Sequence, residues 1–171
     1  MTARERSKSK IRKIAYMGVL AALIFVGTEL HIPTAIGHVN LGDPVILLSS
    51  FILGPIAAIP AAIGSAVADL ISGYAQYALP TFLIKGTMGL LAGLIMKRNA
   101  EGKVPLPRKL IAGIVAELVM VLGYFAFESL PFMYGFAAAV GSLIPNLIQA
   151  AAAIIVALPL TYVKLFDRVK I

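Results

Sequence analysis

The sequence predicts an all-α integral membrane protein, a single bundle of six transmembrane helices with both termini in the cytoplasm. Composition is the first observation, since 60% of the 171 residues are hydrophobic and only 13% are charged. A soluble domain is about 45–50% apolar and about 25% charged. The second observation is a series of apolar runs, and the third is a one-sided distribution of basic residues. The length fits one transmembrane domain over residues 1–171, without a separate soluble module.

Six apolar runs separated by polar or turn-forming segments are the predicted helices. They are Ile11–Leu30, Pro44–Leu53, Pro60–Ser72, Thr81–Met96, Leu110–Phe127 and Phe136–Val163. A spanning helix needs about 20 apolar residues, so the short second and third runs are expected to tilt or to lie partly inside the bundle. Gly54-Pro55 and Pro60 predict a tight turn between them. The first run is too long for a signal peptide core and no cleavage site follows it, so we interpret it as a retained helix.

Basic residues set the predicted orientation, because lysine and arginine concentrate in short cytoplasmic segments. They fall in a basic arm over residues 1–13, in the loop over residues 97–109 and in the C-terminal segment. These three segments hold 14 of the 15 basic residues, and the exception is Lys85 in the fourth run. The net charge of +7 therefore indicates membrane orientation and attraction to anionic lipid, and nucleic acid is not an expected partner.

Several chemical classes have no support in the sequence. The chain has no cysteine and only two histidines, His31 and His38, so a metal site is not expected. The motifs G-x-x-x-x-G-K-[ST], H-E-x-x-H and G-x-S-x-G are absent, which leaves no ATP-binding loop and no recognisable hydrolase. We therefore expect neither an enzyme nor a bound cofactor.

Polar residues concentrate in the predicted outer half of the bundle. Ionisable groups within a membrane usually face the bundle interior, pair with each other or line a pathway. A set from five helices at one depth predicts a polar cup, open to the outside, for a small and partly aromatic ligand. Its candidate residues are His38, Asn40, Tyr74, Tyr77, Lys85, Glu128, Asn146 and Gln149.

Some of these residues also have a purely structural interpretation. Asp69 and Lys85 can form a buried ion pair between the third and fourth helices, or Lys85 can contact a ligand. Tyr74 and Tyr77 can belong to an interfacial aromatic belt. Asp43 directly precedes Pro44, which predicts a helix N-cap followed by a first-turn proline.

The amide of Asn146 raises the same choice. It follows Pro145, which frees a backbone carbonyl, so its side chain can either repair the helix or bind a ligand. Gln149 lies one turn further on nearly the same face, which favours a shared pocket.

Small residues at four-residue spacing let helices approach closely in lipid. Gly89-x-x-x-Gly93 predicts packing within the bundle. Gly18-x-x-x-Ala22 lies on a first helix whose inner half has no polar group. This helix is the best candidate for an outward docking surface.

The chain resembles the substrate-binding (S) components of energy-coupling factor vitamin transporters. The resemblance rests on "VNLGDPVILLSSFILGP" (Val39–Pro55), "GSAVADLISGYAQYALPTFLIKG" (Gly64–Gly86) and "GLLAGLI" (Gly89–Ile95). Together these runs are typical of the group with riboflavin, pantothenate, hydroxymethylpyrimidine and pyridoxine members.

The resemblance implies a subunit of the prokaryotic cell membrane that binds a vitamin from outside. It also implies two kinds of partner, a membrane-embedded coupling protein and two cytoplasmic ATPases, which would explain the missing ATP-binding loop. The segment after the first helix, with His38, Asn40 and Leu41, would cover the pocket. Lys85, Glu128, Asn146 and Gln149 would supply ligand contacts. Helix one of the family docks through small residues, often Ala-x-x-x-Ala, and Gly18-x-x-x-Ala22 is the nearest equivalent here.

The leading hypothesis is therefore a vitamin-binding transporter subunit. Pyridoxine or another B6 vitamer, or hydroxymethylpyrimidine, is favoured, and pantothenate comes next if Lys85 is free to meet a carboxylate. The alternatives are a structural or assembly membrane protein that binds no ligand and, less favoured, an intramembrane enzyme. An enzyme would need a paired nucleophile and base, for which the sequence offers no constellation.

Overall fold

The computed structural model describes residues 3–34, 37–97 and 103–163, with the backbone alone for 3–4, 31–34 and 37–39. Its helices are α1 (Ala3–Glu29), α2 (Gly42–Leu53), α3 (Ala58–Ile71), α4 (Ala75–Ile95), α5 (Leu106–Glu128) and α6 (Phe136–Leu160). A 3-10 turn, Gly54–Ala57, joins α2 to α3. Two short strands, β1 (His31–Thr34) and β2 (Gly37–Asn40), lie between α1 and α2.

Five helices begin earlier than the sequence predicted, and the difference is largest for α1 and α4. Helix α1 starts at Ala3 and so includes most of the predicted basic arm. Helix α4 starts at Ala75, and Pro80 lies inside it, although we predicted a loop that ended at Pro80. Proline is tolerated in membrane helices because the freed backbone groups find other partners. The early start of α4 matters for function, because it places Tyr77 on a helix.

The segment between α1 and α2, predicted as a loop, contains a β-hairpin. Its strands pair antiparallel, with His31 opposite Asn40 and Thr34 opposite Gly37. The hairpin returns the chain to the end of α1, where the Leu41 amide donates to the Gly27 carbonyl at 2.8 Å. The start of α2 is thereby fixed beside the end of α1.

In the described part of the chain, five helical stretches are long and apolar enough to cross a membrane. Three of them are α4, α5 and α6, and a fourth covers most of α1. The remaining stretch, Gly42–Ile71, contains both α2 and α3. The protein is therefore consistent with an integral membrane protein, as the composition predicted.

The Gly42–Ile71 stretch is a helical hairpin. Its first residue, Gly42, packs against Thr28 at the end of α1. Just after its other end, the Ser72 hydroxyl donates to Glu29 at 2.5 Å, also at the end of α1. A straight helix of 30 residues would separate its ends by about 45 Å, so the chain must reverse within the stretch. It reverses at the 3-10 turn, where Gly54 has a φ of 63°, a conformation that favours glycine.

The remaining helices alternate in direction and close the bundle. Gly123 of α5 packs against Ile84 of α4 and Gly113 packs against Ile154 of α6, so both neighbours run antiparallel to α5. Helices α5 and α6 contribute small buried residues to the core, including Ala112, Ala116 and Ala153, and small residues let helices approach closely. Large apolar side chains instead cover the outside of the bundle, as lipid contact requires. Examples are Leu79, Ile114, Leu122 and Ile155.

Candidate functional site

A polar cavity of about 280 Å³ opens at one end of the bundle. This is the end where α1, α3 and α5 finish and where α2, α4 and α6 begin. Every helix except α2 contributes to the wall, together with β2 and the segments before α4 and α6. The lining residues are Thr28, Asn40, Ser65, Asp69, Tyr74, Tyr77, Thr81, Lys85, Tyr124, Glu128, Tyr134, Asn146 and Gln149.

Helical periodicity explains how these side chains reach one space, because residues four apart lie on the same helix face. Helix α4 presents Tyr77, Thr81 and Lys85 on successive turns. The same spacing relates Ser65 to Asp69 on α3 and Tyr124 to Glu128 on α5. Three polar stripes therefore converge on the cavity from three helices.

Asp43 and Lys85 form a buried ion pair beside the cavity. Lys85 Nζ meets Asp43 Oδ1, and only 4% of Lys85 and 0% of Asp43 are exposed. The second carboxylate oxygen of Asp43 accepts a hydrogen bond from Gln149 Nε2 at 2.6 Å. The pair thus ties α2, α4 and α6 together, and each charge has a partner, as buried charges require.

This geometry corrects two predictions. Asp43 is not a helix cap, because α2 starts at Gly42 and its cap position, Leu41, makes no side-chain cap bond. The predicted pair of Asp69 and Lys85 is also wrong, since the partner of Lys85 is Asp43. Asp69 instead lines the cavity with its Oδ2 buried, and no hydrogen-bond partner for that oxygen occurs among the described residues.

Gln149 links the ion pair to the β-hairpin. Its Oε1 accepts from the Asn40 backbone amide at 3.3 Å, while its Nε2 bonds to Asp43. The Asn40 side chain in turn accepts from the Gly42 amide at 3.0 Å. The end of β2 is therefore held over the cavity by a chain of hydrogen bonds that continues to Lys85.

Tyrosines form the outer wall. The Tyr77 ring contacts four aromatic rings, with centroid distances between 5.4 and 6.5 Å, and its hydroxyl donates to Glu128 Oε1 at 3.1 Å. The Tyr124 hydroxyl is 2.9 Å from Thr81 Oγ1, and Lys85 Nζ is 5.4 Å from the centroid of its ring. The hydrogen bonds fix the rings in place, so the wall offers a preformed aromatic surface.

The structure brings together seven of the eight residues predicted to bind a ligand. Asn40, Tyr74, Tyr77, Lys85, Glu128, Asn146 and Gln149 all line the cavity. The side chain of the eighth, His38, lies outside the described residues. Contact between these residues and a ligand stays a prediction.

Sequence reasoning missed four lining residues, Thr28, Ser65, Thr81 and Tyr124. Three of them lie one helical turn from a residue that was singled out, so i, i+4 spacing could have found them. Thr28 directly precedes Glu29 at the end of α1 and carried no comparable signal.

The residues of the predicted docking surface on α1 lie away from the cavity. Gly18 and Ala22 lie exposed on α1, and a side chain added at Gly18 would meet no atom within 4 Å. Within residues 3–34, 37–97 and 103–163, no group of three or more acidic or histidine side chains could hold a metal ion.

The amino-acid sequence is similar to a known protein family and to known proteins. The family model described as "ECF-type riboflavin transporter, S component" matches residues 8–165. An uncharacterized protein of Pyrococcus woesei is 35% identical over 133 residues, which cover 77% of this chain and 85% of the relative. The thiamine precursor transporter HmpT of Lactococcus lactis is 30% identical over 152 residues, which cover 86% of this chain and 84% of HmpT. The match over most of its length, together with the apolar helices, shows that this chain belongs to the S component family of ECF-type transporters.

Proposed function

We propose that this chain captures a small water-soluble vitamin or vitamin precursor from outside the cell and delivers it through an ATP-driven ECF complex. The favoured ligands are pyridoxine and hydroxymethylpyrimidine, and pantothenate would come next only if Lys85, which here is paired with Asp43, were free to meet a carboxylate. HmpT is named as a thiamine precursor transporter, which supports a ligand of this size and chemistry.

The cavity is the observation that carries this proposal. Ligand pockets range over about 300–1,000 Å³, so a cavity of about 280 Å³ favours a vitamin with one ring over one with three fused rings. Tyr77 and Tyr124 offer ring faces for stacking. Asp69, Glu128, Asn146 and Gln149 offer polar groups that would orient the ligand.

The positions of the basic residues support an orientation with the cavity outside. Helix α1 begins with a basic segment, and the segment from Lys97 to Lys109 joins the ends of α4 and α5 that lie opposite the cavity. There Arg108 donates to the Lys97 carbonyl at 2.9 Å, and Lys109 lies 3.6 Å from the ring centroid of Tyr162. By the positive-inside rule this end is cytoplasmic. The chain would then cross the membrane six times, with α2 and α3 as two short crossings and both termini inside.

Helix α1 is the proposed contact with the membrane-embedded coupling protein, which would carry two cytoplasmic ATPases. Gly18 and Ala22 lie on the lipid-facing side of α1, and Gly18 leaves open space for a partner helix. Small residues at this spacing permit close helix approach in lipid. The relatives come from an archaeon and a bacterium, which supports a location in a prokaryotic cell membrane.

Calorimetric titration of the purified protein tests the binding function. The ligands would be pyridoxine, hydroxymethylpyrimidine, pantothenate and riboflavin. We expect submicromolar binding of a one-ring ligand and a loss of about tenfold or more in affinity for Tyr77→Leu, because the variant removes both ring contact and the Glu128 hydrogen bond.

The matched control for this titration is Phe82→Leu. Phe82 is an aromatic residue of the same helix that faces away from the cavity, 44% exposed, so its replacement should leave the affinity unchanged. A well-folded wild-type protein that binds none of the four vitamins would contradict the proposal. That result would favour a structural membrane protein whose polar groups only join its helices.

A further inference from the structure

The only basic side chain among the described residues that line the cavity is already neutralised. Lys85 is paired with Asp43, which is itself held by Gln149. Lys85 keeps donors beyond the one that meets Asp43. An anionic ligand that used them would add a second negative charge beside a lysine whose charge Asp43 already balances, and like charges at short range repel.

The remaining unused hydrogen-bonding capacity is mainly that of acceptors. In the described part of the chain, Asp69 Oδ2 and Glu128 Oε2 are buried and receive no hydrogen bond. Both residues line the cavity, and Glu128 is only 8% exposed. An ionised carboxylate can only accept hydrogen bonds, and an unsatisfied buried acceptor is unfavourable. A ligand that brings donors to these oxygens would therefore be favoured.

Ser65 adds a third unmatched atom, Oγ, which is fully buried on α3 one turn before Asp69. Its hydroxyl can donate or accept. A ring edge that carries both a donor and an acceptor, as in an aminopyrimidine or a hydroxypyridine, matches a carboxylate and a hydroxyl side by side.

From this arrangement, and resting on the proposed function, we infer that the cavity selects a neutral or cationic one-ring ligand with amino or hydroxyl donors and rejects anionic vitamins. Glu128 and Asp69 are its specificity-determining residues. Among the candidate ligands, pyridoxine and hydroxymethylpyrimidine meet this requirement, and pantothenate, which carries a carboxylate, does not.

A pair of ligands that differ at one group tests the inference. Pyridoxine and 4-pyridoxic acid share their ring and differ in that a hydroxymethyl group is replaced by a carboxylate. Hydroxymethylpyrimidine and its 5-carboxylate form a second such pair. By calorimetry at neutral pH we expect at least one neutral member to bind at least about tenfold more tightly than its acid.

Two isosteric variants test the assigned residues. Glu128→Gln and Asp69→Asn each turn an acceptor-only group into one that also carries donors. We expect each variant to bind the neutral ligand at least about tenfold more weakly, because a hydrogen bond to a charged acceptor is lost. The control is Glu29→Gln. Glu29 is a carboxyl at the same end of the bundle that accepts a hydrogen bond from Ser72 and does not line the cavity. The affinity of this variant for the neutral ligand should stay within about twofold of the wild-type value.

The possible outcomes separate this inference from the proposed function. Tighter binding of an acid than of its neutral partner would overturn the inference and leave a vitamin-binding subunit. Unchanged affinity in both Glu128→Gln and Asp69→Asn would also overturn it. Two variants are used so that the test still works if one of them does not fold. If the wild-type protein binds no member of either pair and no vitamin of the wider panel, the proposed function itself fails.

Discussion

At the scale of single residues, Asp43 holds together the buried polar contacts beside the cavity. Its two oxygens hold Lys85 and Gln149, so one carboxylate joins three helices and sets the position of the β-hairpin through Asn40. A lysine deep in an apolar bundle is costly unless it is paired and hydrogen-bonded. Removal of either partner leaves the other uncompensated.

We predict that Asp43→Asn and Lys85→Met each lower the free energy of unfolding by about 3–5 kcal/mol, the usual effect of breaking a buried pair. The double variant should lose clearly less than the sum of the single losses, because neither charge is then left alone. Unfolding in detergent, followed across this double-mutant cycle, measures the coupling. Additive losses would show that the two residues do not depend on each other.

The sequence identified most residues of the site but not their partners. Polar residues in apolar helices are conspicuous, and seven of the eight proposed contacts do meet in one cavity. Asp43 was misinterpreted because Asp-Pro at a helix start is a local capping pattern, whereas its true partner lies 42 positions away. Local patterns carry no information about which distant charge will be buried beside a residue.

At the scale of elements, the α2–α3 hairpin is packed on α4 through glycines. A methyl group on Gly89 would lie 2.9 Å from the Ala57 carbonyl oxygen. One turn later, a methyl group on Gly93 would collide with the backbone of Gly54. The turn of the hairpin therefore sits directly on the end of α4, and this contact helps place Asp43 level with Lys85.

We predict that Gly93→Ala destabilises the protein by about 1–3 kcal/mol, because the obstructing atoms are backbone and cannot move aside cheaply. Gly141→Ala is the matched control, since it lies in α6 and a methyl group there would meet no atom within 4 Å. The melting temperature in detergent measures both. Equal melting temperatures for the two variants would contradict the close approach at Gly93.

Six transmembrane helices were predicted, whereas the described residues contain five stretches long and apolar enough to cross a membrane, one of which holds both α2 and α3. The six apolar runs correspond to the six described helices, and Gly54-Pro55 correctly marked the turn between α2 and α3. The predicted fourth helix begins only after Pro80, whereas Pro80 lies inside α4. The β-hairpin was not predicted, because its two four-residue strands lack the alternating apolar pattern that would distinguish them from a loop.

At the scale of the whole molecule, one end of the bundle carries the cavity and the opposite end carries the basic start of α1 together with Lys97 and the described residues from Lys103 to Lys109. The outside between them is apolar, with small residues at Gly18 and Ala22 on α1. Composition predicted an integral membrane protein, and the many exposed large apolar side chains are consistent with it, because soluble monomers rarely expose large contiguous apolar patches. The capture and hand-over of a ligand remain proposals, and they require both the cavity and the α1 surface.

ATP-dependent uptake tests this central claim most directly. Proteoliposomes would contain the chain together with an ECF coupling protein and its two ATPases, and the probes would be radiolabelled pyridoxine and hydroxymethylpyrimidine. We predict accumulation of at least one probe with the wild type and with the control variant Gly141→Leu. Gly18→Leu should abolish accumulation because it blocks the α1 surface, while its ligand binding measured by calorimetry stays intact. Uptake that continues without ATP, or equally well with Gly18→Leu, would contradict the account.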